Sequence, residues 1–252
     1  DPNNDQIMYA TVYYGNITRS TNAGVGFGGF AANGTNGITE DGAWITPFIL
    51  DRVNSDIMFI GYKNIWRTTN ATAGTPVFDQ ISNNLAGSNS SNMRRVKQSK
   101  LNSNRLFAVR SDNKLFRSDN ALGTAPTWTD LTTNLPGSGT LADIETSPFS
   151  NNTLWIIRGN NVYKSINSGG SWSFYSSGLP SINLNCLVAD PLSNGGLYVG
   201  TDAGVYYIDN SLSSWIPFDD GLPTTVEITE LEIYHPQGNW GASRLRAGTY
   251  GR

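Results

Sequence analysis

Side chains suited to covalent or metal chemistry are scarce in this sequence. His235 is the only histidine and Cys186 the only cysteine among 252 residues. A Ser-His-Asp or Cys-His mechanism could therefore recruit only His235, and a metal site of several histidines or thiolates is excluded. Cys186 cannot form an intrachain disulfide, and its neighbours Leu184, Leu187 and Val188 make it a buried strand thiol. The sequence carries no EF-hand loop, no Gly-rich loop ending in Gly-Lys-Ser/Thr and no His-Glu-x-x-His. It predicts no metal and no cofactor. What remains is chemistry by paired carboxylates, as in glycoside hydrolysis, or recognition without catalysis.

Charged residues make up 15% of the chain and the net charge is -3, so the basic footprint that nucleic acid or an acidic membrane surface requires is absent. No apolar run approaches the roughly 18 to 20 residues of a membrane-crossing helix, and no membrane insertion is expected. The start, Asp1-Pro2-Asn3-Asn4-Asp5, is not a signal peptide. It falls inside a repeated turn, so a mature or excised segment of a soluble protein is expected.

Gly (27 residues), 11% aromatic residues and abundant Asn, Ser and Thr point to short strands and tight turns. A repeat organises them. The turn Asp190-Pro191-Leu192-Ser193-Asn194 recurs as Asp1-Pro2-Asn3-Asn4, Asp51-Arg52-Val53-Asn54 and Ser147-Pro148-Phe149-Ser150-Asn151, with weaker copies at Ser99 and His235-Pro236. The starts at 1, 51, 99, 147, 190 and 235 are spaced by 43 to 50 residues, the length of a four-strand unit. After each of the first five comes an alternating segment: Ile17-Thr18-Arg19-Ser20, Ile65-Trp66-Arg67-Thr68, Leu115-Phe116-Arg117-Ser118, Val162-Tyr163-Lys164-Ser165 and Val205-Tyr206-Tyr207-Ile208. An aromatic follows at Phe78, Trp128, Trp172 or Trp215, and then Asn134-Leu135-Pro136, Gly178-Leu179-Pro180 or Gly221-Leu222-Pro223, with Asn84-Leu85 a degenerate form.

Each repeat thus reads as inner, second, third and outer strand of one antiparallel sheet. Such a sheet buries both faces only between neighbours, which is the logic of a propeller blade. The fold expected over 1–252 is a single all-β propeller domain or segment of about five four-stranded blades. The register counts five inner, six second, five third and five outer strands. Residues 245–249 are then a surplus second strand and the first blade lacks an inner one, so further blades in a larger ring are expected.

Ser165-Ile166-Asn167-Ser168-Gly169-Gly170-Ser171-Trp172 resembles the Asp-box, the Ser-x-Asp-x-Gly-x-x-Trp signature of bacterial neuraminidase repeats, with Asn167 where that family usually has Asp. Ser118-Asp119-Asn120 leading to Trp128, and Arg67-Thr68-Thr69-Asn70 leading to Phe78, resemble expanded copies. In such a turn Ser165 and Asn167 cap backbone N–H groups, Gly169 allows positive φ and Trp172 plugs the blade. With its Asp-Pro turns, Gly-Leu-Pro closures and ending Leu245-Arg246-Ala247-Gly248-Thr249-Tyr250-Gly251-Arg252, the chain is similar to propeller segments of large secreted or surface proteins of Bacteroidetes-type bacteria. It more distantly resembles sortilin-type and xyloglucan-cleaving propellers. The resemblance implies an extracellular or cell-surface, non-enzymatic module that serves as scaffold or binds glycan or protein, with a fragment of a polysaccharide-cleaving hydrolase as the alternative.

Strand alternation places the second-to-third turns and the loops entering each inner strand at one end of the blades, and the Asp-boxes at the other. The ligand-facing candidates are Tyr13, Tyr14, Glu40, Asp41, Tyr62, Asp112, Asp202, Asp219 and Asp220. A sialidase would need an arginine triad, but Arg19, Arg67 and Arg117 occupy a repeated strand position and read as structural. Thr201-Asp202-Ala203-Gly204 resembles a carboxylate-bearing loop of xyloglucan-cleaving propellers, which makes Asp202 the one catalytic candidate, as general base. The same tetrapeptide is also an ordinary two-residue hairpin turn.

Overall fold

The computed structural model describes residues 1–83, 85, 91–218, 220–222, 225–236 and 240–249. Among these, 21 strands occur in the order and number that the repeat register predicts. They fall in two compact units, Asp1–Thr132 and Thr133–Arg252.

The first unit holds a three-stranded sheet, β1 (Met8–Thr11), β2 (Ile17–Ser20) and β3 (Gly28–Ala31), and two four-stranded sheets. These are β4 (Phe48–Leu50) to β7 (Phe78–Gln80), through β5 (Met58–Gly61) and β6 (Ile65–Thr68), and β8 (Met93–Gln98) to β11 (Thr129–Asp130), through β9 (Leu106–Arg110) and β10 (Leu115–Ser118). All pairing is antiparallel between sequence neighbours. The first sheet lacks an inner strand, as expected.

Every residue of β5 and β9 is buried, because successive side chains point to opposite faces and each face is covered. Met58 and Ile60 meet Ile17 and Phe30 of the first sheet and Ile38 of the connection that follows it. Phe59, on the other face of β5, meets Met93, Val96 and Phe116 of the third. The repeated arginines bridge the sheets. Arg19 donates to Ala71 O (2.5 Å) and Ala73 O (2.7 Å), and Arg67 to Ala121 O (2.6 Å) and Gly123 O (3.0 Å), in each case the turn after the next sheet's third strand.

The second unit holds β12 (Leu141–Thr146), β13 (Leu154–Arg158), β14 (Asn161–Ser165) and β15 (Ser173–Phe174), then β16 (Leu184–Ala189), β17 (Leu197–Thr201), β18 (Gly204–Ile208) and β19 (Ile216–Pro217), and a pair, β20 (Ile228–Tyr234) with β21 (Arg244–Thr249). β21 takes the second-strand place beside β20, in the register Ile228↔Thr249 to Tyr234↔Arg244. The inner strands β12, β16 and β20 lie side by side, each with a bulge at its start. Polar groups at these bulges tie neighbouring inner strands: Leu187 N donates to Asp143 Oδ2 (2.8 Å) and Asn185 Nδ2 to Ile228 O (3.1 Å). Cys186 is wholly buried against Val205, Val226 and Ile228.

The aromatics that open the outer strands fill the space between sheets. Phe78 and Trp215 are buried, and the indole N–H groups of Trp128 and Trp215 donate to Ile81 O (2.9 Å) and Tyr175 O (2.6 Å) of the preceding sheet. Trp172 departs from the expected enclosed plug: it is half-buried, just before a two-residue outer strand whose Phe174 is exposed. The test of inter-sheet filling is therefore Trp215→Ala, which should cost about 3 to 5 kcal/mol in urea titrations through the cavity it leaves.

Candidate functional site

One surface cluster combines exposed aromatics with a rigid support. The turn from β1 to β2 carries Val12, Tyr13 and Tyr14, and the connection from β3 to β4 carries Trp44 and Ile45. The Tyr13 and Trp44 rings stack at 4.0 Å with an interplanar angle of 29°, and Tyr14 meets Trp44 edge-on at 5.4 Å. Tyr13 is 54%, Tyr14 59% and Trp44 55% exposed, so the cluster faces solvent while holding a fixed arrangement. Thr11, Val12, Tyr13, Trp44 and Ile45 line a shallow recess of about 240 Å³.

The support is built from the backbone outward. Tyr14 sits in the left-handed region (φ 59°, ψ 39°), a conformation that costs a bulky residue about 1 to 3 kcal/mol and persists only where the surroundings impose it. They do so here. Asn16 Nδ2 donates to Tyr13 O (2.7 Å), Val12 N to Asn16 O (2.7 Å) and Gly42 N to Tyr14 O (3.3 Å). Gly15 (φ 83°) lies so close to Gly42 and the Tyr62 ring that a Cβ there would collide with both. The Tyr62 hydroxyl donates to Gly15 O at 2.8 Å. Burial, with a smaller push from the Glu40 carboxylate, holds that hydroxyl far above the ordinary tyrosine range, so it remains a neutral donor.

Tyr62 and Glu40 are thus corrected as ligand-facing residues. Tyr62 is fully buried beneath the turn. The Glu40 oxygens accept from Asn64 N (2.9 Å), Asn64 Nδ2 (2.7 Å) and Trp66 Nε1 (3.1 Å), which leaves the carboxylate occupied in positioning the same connection. Asp41 is exposed and accepts from Asn33 Nδ2 (3.0 Å).

The other expected residues do not join this cluster. Asp112 forms a two-pronged pair with Arg110, Nε to Oδ1 and Nη2 to Oδ2, both 2.7 Å, while Arg110 also reaches Leu85 O. Its hydrogen bonds from Arg110 hold the carboxyl below its ordinary range against the opposing effect of burial. Asp202 stands at the β17–β18 hairpin, where Thr201 pairs with Gly204, and accepts from Asn183 Nδ2 (2.7 Å) and Asn185 Nδ2 (3.1 Å). Asp220 is exposed, and Asp219 lies outside the described residues. At the opposite end, Ser165 Oγ accepts from Gly169 N (2.9 Å) and Asn167 Oδ1 from Ser171 N (2.8 Å), and Gly169 has φ 88°. No group of three His, Cys, Asp or Glu side chains among the described residues could hold a metal ion.

Trp44 and Ile45 were not found by sequence reasoning, which tracked repeat landmarks and not the long first connection in which they lie. A Trp outside every repeat position was the available signal. Aromatic and apolar side chains dominate the recess lining, an arrangement that can stack on a ligand.

No protein family and no curated protein matches the sequence. Solved structures do match in fold. An ancestral GH74 enzyme superposes with a TM-score of 0.75 at 16% identity, over 100% of this chain and 34% of its own. A GH74 enzyme of Niastella koreensis gives 0.62 at 19% identity, over 100% and 42%. The extracellular domain of a proposed one-component system from B. thetaiotaomicron gives 0.62 at 16% identity, over 86% and 29%. The fold is a partial β-propeller. The chain spans well under two thirds of each of these proteins, and at such identities the likeness is one of architecture.

Two outcomes follow from this geometry. Tyr62→Phe should cost about 1 to 3 kcal/mol and speed amide exchange across residues 12–16, because Gly15 O loses its buried donor, whereas Tyr13→Ala should shift stability by less than about 0.5 kcal/mol. Because the folded pKa of Asp112 is depressed, its ion pair stabilises above the ordinary aspartate value of about 3.9 and is lost as pH falls through the lower folded value. Asp112→Asn should therefore weaken the protein at neutral pH, and denaturant titrations should show the difference closing as pH falls below the ordinary aspartate range.

Proposed function

We propose that this chain is a non-enzymatic β-propeller segment of a secreted or cell-surface bacterial protein, and that it binds glycan on the platform of Tyr13, Tyr14 and Trp44. The observation that carries the reading is the exposed Tyr13–Trp44 stack held on a turn with a left-handed Tyr14. A pyranose ring presents an apolar C–H face, which an immobilised aromatic pair can cover at little entropic cost. Exposed apolar clusters of this size on otherwise polar loops mark binding sites more often than chance. The extracellular setting of one structural neighbour supports the location. Residues 1–252 are read as one propeller segment, and the turns at Ser20, Thr68, Ser118 and Ser165 as Asp-boxes. In all four, the hydroxyl lies within hydrogen-bond reach of an Asn oxygen two residues on.

The alternative, a hydrolase fragment, rests on Asp202 and on the GH74 neighbours. Calorimetric titration with neutral glucan and xyloglucan oligosaccharides separates the two. Trp44→Ala should weaken binding by about tenfold or more while leaving the melting temperature unchanged, and Asp202→Asn should leave binding within about twofold. A loss of about a hundredfold in a measured hydrolytic rate on Asp202→Asn would instead establish the hydrolase, since general acid–base groups contribute on that scale.

A further inference from the structure

The third strands carry a basic residue at one repeated position, Arg19, Arg67, Arg117 and Lys164. In the first unit the guanidinium groups of Arg19 and Arg67 cross to the next sheet and donate to two turn carbonyls each. Arg117 pairs with Asp119 of its own turn (Nε to Oδ2, 2.9 Å), and Lys164 makes neither contact. Its ammonium lies 4.9 Å from the centre of the Tyr175 ring and 5.8 Å from that of Trp155, and among the described residues it has no hydrogen-bond or ion-pair partner. Where the clamp would run, a cavity of about 310 Å³ opens, bounded by Trp155, Phe149, Ile166, Gly195 and Asn210 as well as Lys164. Gly195 (φ +78°) is required there, because a Cβ would collide with the Asn210 side chain.

The cavity has a definite chemistry. The Lys164 ammonium is a half-buried cation with no protein acceptor among the described residues, so an anion entering the cavity can take the place of solvent beside it. Burial already pulls the Lys164 ammonium below the ordinary lysine range. A single cation matches a single negative charge, as on a carboxylate. The rim is apolar on both sides of it, with Phe149 46% and Ile166 72% exposed. The Trp155 ring, by contrast, is almost wholly covered and offers no open face on which a sugar ring could stack. A rim of two projecting apolar side chains around a recessed cation suits an extended peptide, whose acidic residue enters while its neighbours stay outside.

We propose that this cavity, at the Asp-box end of its own sheets, binds an acidic side chain of a peptide segment. Its carboxylate pairs with Lys164, and the flanking residues pack on Phe149 and Ile166. The site is independent of the glycan reading.

The test uses the chain labelled with 13C at the lysine ε-carbon and the peptide acetyl-Leu-Glu-Leu-amide. The Lys164 resonance, assigned by its loss in Lys164→Met, should shift saturably, and the Gln-containing peptide should bind at least about tenfold more weakly. Lys164→Arg keeps the charge but restores the clamp of Arg67, so it should melt no lower than wild type and lose peptide binding by about tenfold or more. This variant keeps the test decisive if Lys164→Met fails to fold. Equal binding of the Glu and Gln peptides, or a Lys164 resonance unmoved up to about 5 mM peptide, would overturn the proposal. So would a shift produced by glucuronic acid and not by the peptide, which would assign the cavity to an acidic sugar.

Discussion

The inner sheets of this chain are apolar on both faces, and such a sheet is stable in water only when a neighbour covers each face. Strands β5 and β9 show the consequence, with every side chain buried and alternate residues committed to different neighbours. Burial on that scale supplies most of the stabilisation, at about 25 cal/mol per Å² of apolar area. It also sets the repeat, since a strand with two buried faces cannot drift in register without exposing one set of side chains to the wrong partner. Hydrogen bonds then give the stack its geometry. Arg19, Arg67, Trp128 and Trp215 each satisfy carbonyls on an adjacent sheet, so sheet-to-sheet spacing is held by directional contacts as well as by packing.

The proposed binding surfaces lie where this stacking leaves freedom. The connection from β3 to β4 has no strand to pair with, so its conformation is set instead by Glu40, Tyr62 and the close approach of Gly15 to Gly42. Those buried contacts hold Tyr14 in its left-handed state and present Tyr13 and Trp44 as a preformed platform. Rigidity of this kind lowers the entropy lost when a ligand binds. The residues that contact solvent and those that position them are thus separate sets.

The basic residue of the third strand illustrates a different route to a site. Arg19 and Arg67 there reach across to the next sheet, because the guanidinium carries several donors on a long, planar fork. Lys164 has a compact ammonium, and around it the gap stays open as a cavity with a charge facing it.

Much of the architecture was legible before any coordinates. The Asp-Pro turns, the alternating third-strand segments and the aromatics at Phe78, Trp128 and Trp215 recur in register, and local pattern at that spacing determines strand number and order, down to residues 245–249 as a surplus second strand. The position of Cys186 in an apolar strand core was also evident. Sequence did not separate exposed from buried members of the ligand-facing set. Tyr13 and Tyr62 occupy equivalent turns, yet one is solvent-facing and the other is enclosed, because the Tyr62 ring packs against Gly15 beneath the first turn while Tyr13 meets only Trp44 at the surface. Asp112 and Glu40 likewise looked available until the arginine and the asparagine that engage them were placed beside them. Repeats determine which strands pair because pairing is local; which side chains remain free depends on long-range contacts between loops, and only the tertiary structure brings those together.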